Sequence, residues 1–248
     1  MPRKRPLARR IKVALLRSGV GRAGAPVSEA LLKTAYMSRL AKWTHAHRDL
    51  PFNADTDEPA FRYDKRENLF EYVFDSENLD CAIDYLEFGV AKGKSTLWWL
   101  AHNTDAASRF FGFDTFTGLP ENFGPIKSGA FSTEGSFPET DDPRAQFVAG
   151  YFQKTLGPFL REANLVDRRP NRKFVVHLDA DLYTSTLYVL TQLAPLLCPG
   201  DILLFDEFGV PMHEFKAFTE FADAFMVGYE VLGHANDYLQ VAIKLTNV

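Results

Sequence analysis

Cysteine is scarce. The 248 residues hold two, Cys81 and Cys198, far apart and outside any CxxC pair. Neither a zinc site nor a disulfide framework is supported, and a reducing, cytoplasmic setting is expected. No run approaches the roughly 18 consecutive apolar residues of a membrane-spanning helix. Acid is absent from residues 1–22, which carry eight Lys or Arg. No apolar segment follows those charges, so secretion is not expected. Without the arm the remaining residues stand at a net charge of −12 against −4 for the whole chain. An acidic body argues against a nucleic-acid-binding surface. The arm over 1–22 reads as a solvated, mobile segment. Contact with acidic lipid, RNA or a partner, or a transit-peptide role, stays open.

What is present is ordinary globular material. Hydrophobic residues make up 46% and charged residues 24%, which excludes fibrous and disordered classes. The length allows one large domain or two small ones. A helix is expected over 28–47 from the apolar positions Leu31, Leu32, Ala35, Leu40 and Trp43. Residues 48–65 are polar and contain proline, and read as a loop or short helix. The stretch 23–82 is then a helical cap region, and 83–248 is the main domain. From residue 83, short apolar runs (83–88, 109–113, 146–149, 173–178 and 202–205) alternate with helical stretches (95–102, 152–163 and 185–197). That alternation indicates βαβ units and a parallel sheet covered on both faces. Two further runs, 229–232 and 239–245, read as an antiparallel pair closing the sheet. The expected fold class is α/β, a Rossmann-like layer sandwich. In such sheets ligands sit outside the carboxyl ends of the strands.

The first strand runs into Glu87-Phe88-Gly89-Val90-Ala91-Lys92-Gly93-Lys94-Ser95, where two glycines let the backbone turn tightly and approach a ligand. Two readings compete. Gly93-Lys94-Ser95 matches the end of a phosphate loop, with Asp206 as the acid after an apolar strand. That motif needs four residues between its glycines, and only three stand here. The alternative is a nucleoside pocket for S-adenosylmethionine. The Glu87 carboxylate would repel a phosphate but suits a sulfonium and an amino group, and Asp114 ends the second strand where an acid accepts hydrogen bonds from ribose hydroxyls. A dehydrogenase would place an acid similarly, but its GxGxxG fingerprint is missing. Glu87 as a helix-capping acid and Asp114 as a turn residue are the plainer alternatives.

Asp179 and Asp181 follow the fourth run, and Asp206 and Glu207 the fifth. Neighbouring parallel strands lie about 4.8 Å apart, so Asp179 and Asp206 are expected within reach of each other. Carboxylates gathered at one edge repel unless a cation sits among them. An all-oxygen set selects Mg²⁺, Mn²⁺ or Ca²⁺. The plainer reading of Asp181 is a cap for the helix that follows. His177 reads as a packed residue, His213 and His234 as rival bases on the substrate side, and His45 and His47 as surface residues. Lys92 and Lys94 are expected in solvent, with an approach to the cofactor carboxylate as the alternative. The long segment 116–143, with Phe123, Phe131 and Phe137, is expected to close over the substrate; a disordered insertion is the alternative.

These motifs, with Phe113-Asp114-Thr115-Phe116-Thr117-Gly118-Leu119-Pro120 and Gly150-Tyr151-Phe152, occur in an order that resembles the macrocin and noviose O-methyltransferases, the TylF-like group of class I methyltransferases. The resemblance covers about 83–248. It implies a seven-stranded sheet with an antiparallel last strand. It also implies cofactor contacts to S-adenosylmethionine from Glu87, Gly89, Val90, Gly93, Ser95, Asp114, Thr115, Gly150, Tyr151 and Asp179. By the same resemblance Asp179, Asp206 and Glu207 hold Mg²⁺ or Mn²⁺, and Asp181, beside Asp179, is the catalytic base. One departure is that the family often has Asp where Glu207 stands. The implied activity is methyl transfer to a hydroxyl of a small-molecule acceptor, a sugar or natural product. A phosphotransferase and a non-catalytic binding module are the alternatives, and a homo-oligomer is left open.

Overall fold

A computed structural model describes residues 7–18, 25–55, 60–165 and 172–248. Among them, eight strands form one sheet: β1 (Phe52–Asn53), β2 (Ile83–Phe88), β3 (Arg109–Asp114), β4 (Ala145–Ala149), β5 (Lys173–Leu178), β6 (Ile202–Phe205), β7 (Gly228–Ala235) and β8 (Gln240–Asn247). Their spatial order is β1-β7-β8-β6-β5-β2-β3-β4. Strands β2 to β6 run parallel, whereas β8 lies antiparallel between β6 and β7. The expected architecture is therefore present. The eighth strand, β1, is a two-residue addition beside β7, drawn from the stretch read as loop.

Period-two burial sorts the side chains into two layers. Leu86, Phe88, Val176, Leu178, Leu203 and Phe205 point to one face. There they meet α2 (Ala25–Ala46), α5 (Phe152–Glu162), α6 (Tyr183–Leu193) and α7 (Glu214–Phe225). Tyr85, Val175, Ile202 and Leu204 point to the other face, against Leu69, Phe70 and Val73 of α3 (Lys65–Ser76) and Trp99 and Leu100 of α4 (Lys94–His102). Burial on both faces explains why these strands read as continuous apolar runs. Of the helices on the sheet, α7 has no counterpart in the sequence reading, and α3 is covered only by the reading of 23–82 as a helical cap region. Within the basic arm, Leu7–Arg17 forms a helix, α1, with no buried residue. Residues 1–6 and 19–22 of that arm lie outside the described residues.

The parallel strands end level. Phe88 pairs with both Phe113 and Leu178, and Leu178 pairs with Phe205. Backbone bonds continue past the ends: Gly89 N–H donates to Phe113 O (2.9 Å), Asp179 N–H to Phe88 O (2.9 Å) and Asp206 N–H to Leu178 O (3.0 Å). Gly89, Asp179 and Asp206 are thus set side by side along one sheet edge.

Candidate active site

The turn after β2 is built around close backbone approach. Gly89 has φ +99°, and a Cβ there would lie 1.7 Å from Asp179 O. Only glycine tolerates both the dihedral and the crowding. The amides of Val90 and Ala91 both donate to Asp114 Oδ2, each at 2.8 Å, while Phe116 N–H donates to Oδ1 at 2.7 Å. A phosphate loop needs its amides free to ring an anion. Here two of them already face a carboxylate, which removes the physical basis of that reading. Gly93 (φ +76°) occupies the N-cap of α4.

Beyond the strand ends lies a cavity of about 420 Å³. Its wall includes Gly89, Asp114, Thr115, Tyr151, Asp179, Asp181, Asp206 and Glu207. Of the other expected cofactor residues, Glu87, Val90, Gly93, Ser95 and Gly150 stand outside that wall. Glu87 is fully buried, and its Oε2 accepts hydrogen bonds from the Thr96 hydroxyl and from Tyr85 (2.8 Å). Burial pushes its carboxyl up to about 7, against the pull of those two hydroxyls. Ser95 is buried. Gly150, at φ +134°, turns the chain from β4 into α5.

Asp181 does not cap the helix after it. The N-cap of α6 is Leu182, with no side-chain cap bond. Asp181 instead takes a left-handed conformation, φ +57°, which costs a non-glycine residue of order 1 kcal/mol, and it borders the cavity. Burial, then the charges of Asp206 and Asp114, push its carboxyl up to about 7. Burial first, then Asp206 and Asp181, push Glu207 up to about 8. Asp179 is raised as well, by burial and then Asp206. Three of the acids that border this partly dry cavity, Asp179, Asp181 and Glu207, are thus pushed toward the protonated state.

One cation is already there. Arg66, the second residue of α3, is buried and donates from Nη1 to Asp206 Oδ1 (3.0 Å) and to Asp179 Oδ2 (3.3 Å). Its guanidinium lies over the Tyr63 ring at 4.5 Å and near Phe70 at 5.7 Å. Tyr63 lines the cavity and donates to Asp206 Oδ2 at 3.4 Å. Neither residue emerges from the sequence reading. The available signal is the position of Arg66 on the apolar stripe of α3, three and four residues before Leu69 and Phe70. A charge on that stripe must find a buried partner.

The expected meeting of Asp179 and Asp206 is observed. With His177 they form the one group among the described residues whose ligand-type atoms all lie within 4.8 Å of one another. Glu207 borders the same cavity but is outside that group. His177 is buried, with Nδ1 2.9 Å from the Tyr85 hydroxyl. His213 packs edge-on against Phe123 (4.8 Å between ring centres), and His234 stacks on Tyr238 (3.8 Å). Neither lines the cavity. His45 is exposed, whereas His47 is half-buried, 4.1 Å from Trp43 between ring centres. Lys92 and Lys94 are exposed, as expected. The segment 116–143 folds back on itself, with Leu119 N–H bonded to Ala130 O and Gly129 N–H to Leu119 O, both at 2.9 Å. It brings Gly118, Leu119, Pro120, Glu121 and Phe131 to the cavity.

Residues 86–208 match the family profile of a methyltransferase domain. That match spans just under half of the chain. Among curated relatives, a tetracenomycin-C rhamnosyl 4'-O-methyltransferase of Streptomyces olivaceus is 26% identical over 51% of this chain and 53% of its own length. Mycinamicin III 3''-O-methyltransferase of Micromonospora griseorubida is 27% identical over 46% of this chain and 42% of its own. The chain thus spans about half the length of the curated relatives it matches. Among solved structures, the calicheamicin methyltransferase CalS11 superposes with a TM-score of 0.56 at 20% identity, covering 85% of this chain and 91% of that one. The O-methyltransferase NovP gives 0.55 at 20% identity over 74% and 80%. The fold is therefore the Rossmann-like α/β sandwich of these structures. The similarity of the chain to these O-methyltransferases agrees with the resemblance carried by its motifs.

Proposed function

We propose that the chain transfers a methyl group from S-adenosylmethionine to a hydroxyl of a small molecule, a sugar or sugar-bearing natural product. The observation that carries this reading is the single cavity shared by the Gly89–Asp114 turn and the acids Asp179, Asp181, Asp206 and Glu207. When bound, the cofactor supplies an electrophilic methyl on a sulfonium. Asp114, with Thr115 beside it, is suited to the ribose hydroxyls, and Tyr151 and Gly89 wall the nucleoside side. Glu87 acts from behind that wall, as a buried anchor for the turn.

Asp181 is suited to take the proton of the acceptor hydroxyl, because a base raised to about 7 is half-deprotonated near neutral pH. Phe131 and the turn at Gly118–Glu121 cover the acceptor and exclude water. An all-oxygen set that leaves Asp181 and Glu207 raised, even with Arg66 present, fits a further cation. Asp179 and Asp206, with Glu207 beside them, would hold Mg²⁺ or Mn²⁺, which acidifies and orients a hydroxyl when bound. The free, exposed Cys81 and Cys198 accord with a reducing, cytoplasmic setting, and the acidic body with a small-molecule partner rather than nucleic acid.

Isothermal titration with S-adenosylhomocysteine tests the reading, followed by transfer of a labelled methyl to a panel of rhamnosyl and other sugar acceptors. One-to-one binding is expected, with no binding of ATP. Binding of ATP in place of S-adenosylhomocysteine would overturn it.

A further inference from the structure

We infer that Arg66 is a tethered counter-cation that occupies the seat between Asp179 and Asp206, so that a divalent metal ion reaches these two carboxylates only in competition with the guanidinium. The inference rests on the metal-assisted reading above and adds a residue from outside the matched 86–208 domain.

The geometry is specific. One nitrogen, Nη1, bridges an oxygen of each carboxylate at 3.0 and 3.3 Å. Arg66 is 3% exposed, so its charge is largely withdrawn from solvent. An ion coordinated by both carboxylates must share the oxygens that Nη1 engages, Asp206 Oδ1 and Asp179 Oδ2, or take their second oxygens directly beside the guanidinium. Placing it there beside the guanidinium would set a double and a single positive charge against each other in a poorly solvated space. The hold on Arg66 is also incomplete. Its Nε is buried without a hydrogen-bond partner among the described residues. Nη1 also donates to the Tyr63 hydroxyl (3.2 Å), and the rest of the group rests on ring faces, since Tyr63 covers one side and Phe70 lies beyond. A group held in this way can be displaced without breaking a complete hydrogen-bond set.

Competition has a direction that a purely structural ion pair lacks. Arg66→Met removes the charge and keeps much of the apolar stem, leaving two close carboxylates without a counter-ion. That variant is expected to be less stable in metal-free buffer, yet to bind Mn²⁺ at least tenfold more tightly than the wild type. Its melting temperature should rise more on adding Mn²⁺ than that of the wild type, because binding to the native state is linked to stability. Arg66→Lys retains a positive charge and should stay closer to wild type in Mn²⁺ affinity.

The test is titration of Mn²⁺ into the 248-residue wild-type chain, Arg66→Met and Arg66→Lys, by calorimetry and by loss of the free-ion electron paramagnetic resonance signal. Thermal unfolding is recorded with and without the ion. If Arg66→Met is unfolded without metal, recovery of the folded protein on adding Mn²⁺ is the expected result. Equal or weaker Mn²⁺ affinity in Arg66→Met, no binding in any variant, or no recovery of an unfolded variant would each overturn the inference. S-adenosylhomocysteine affinity measured on the wild type reports the methyl-transfer reading separately, so failure of one is distinguishable from failure of the other.

Discussion

Asp181 and Glu87 show how burial assigns different work to similar carboxyl groups. Asp181 borders the cavity in a left-handed conformation, so its side chain is available to a ligand. Replacing it by Asn keeps the shape and removes the base. The expected loss is about 10²- to 10⁴-fold in kcat, with S-adenosylhomocysteine affinity changed by less than about threefold; unchanged turnover would show that another group takes the proton. Glu87 is closed off instead. Its carboxyl titrates near 7 when folded, against 4.5 ordinarily, so the native state binds the proton more tightly than the unfolded chain. Its contribution to stability is full below about 4.5 and is lost as pH rises through 7. At about 1.4 kcal/mol per pKa unit, the loss is on the order of 3.5 kcal/mol. Glu87→Gln should therefore show a smaller fall in melting temperature between pH 5 and pH 8 than the wild type, a comparison that thermal unfolding provides directly.

The acids at the strand ends are legible in the chain because each stands directly after an apolar run, and parallel register does the rest. Arg66 is not legible in that way. It reaches Asp179 across 113 residues and Asp206 across 140, and only the packing of a helix against one face of the sheet brings them together.

Elements differ in how openly they declare themselves. The parallel strands are the clearest, since both of their faces are buried. Helix α7 is obscure although it packs Phe215, Phe218, Phe221 and Ala222 against the sheet. Its twelve residues contain four phenylalanines, a residue type that suits strands as readily as helices. Helix α3 hides its start, because Lys65 and Arg66 look like surface charges but are buried by Asp55 and by the site acids. The covering segment 116–143 is a folded loop whose Phe131 borders the cavity while remaining 57% exposed. A side chain so little buried contributes little to stability. Phe131→Ala should raise the KM for acceptor several-fold while shifting the melting temperature by no more than about 1 °C. Steady-state kinetics and thermal unfolding on the same preparation separate the two effects.

Across the whole molecule, charge and burial divide unevenly. The basic helix α1 buries none of its residues, whereas the sheet and its two helical layers hold the core. Deleting residues 1–18 should leave the melting temperature within about 1 °C of the full chain and S-adenosylhomocysteine affinity unchanged. A larger loss in either, by thermal unfolding or calorimetry, would show that α1 supports the domain. No helix among the described residues is long and apolar enough to cross a membrane.

The residues before β2 are tied to the domain by a different kind of link. Asp55 accepts from the amides of Asn236 and Asp237 in the β7–β8 turn, at 3.1 and 2.7 Å, and Asn236 Nδ2 donates both to Arg62 O and to Gln240 Oε1, each at 2.9 Å. Gln240 Nε2 in turn donates to Asp206 O at 3.1 Å. The stretch that delivers Arg66 is thereby latched to the same hairpin that braces Asp206. Anyone building chimaeras from this chain and a homologue would find that a junction placed near residue 80 exchanges more than a covering: it separates a guanidinium from the acids it neutralises and a clasp from its catch, so the recipient must bring matching halves of both.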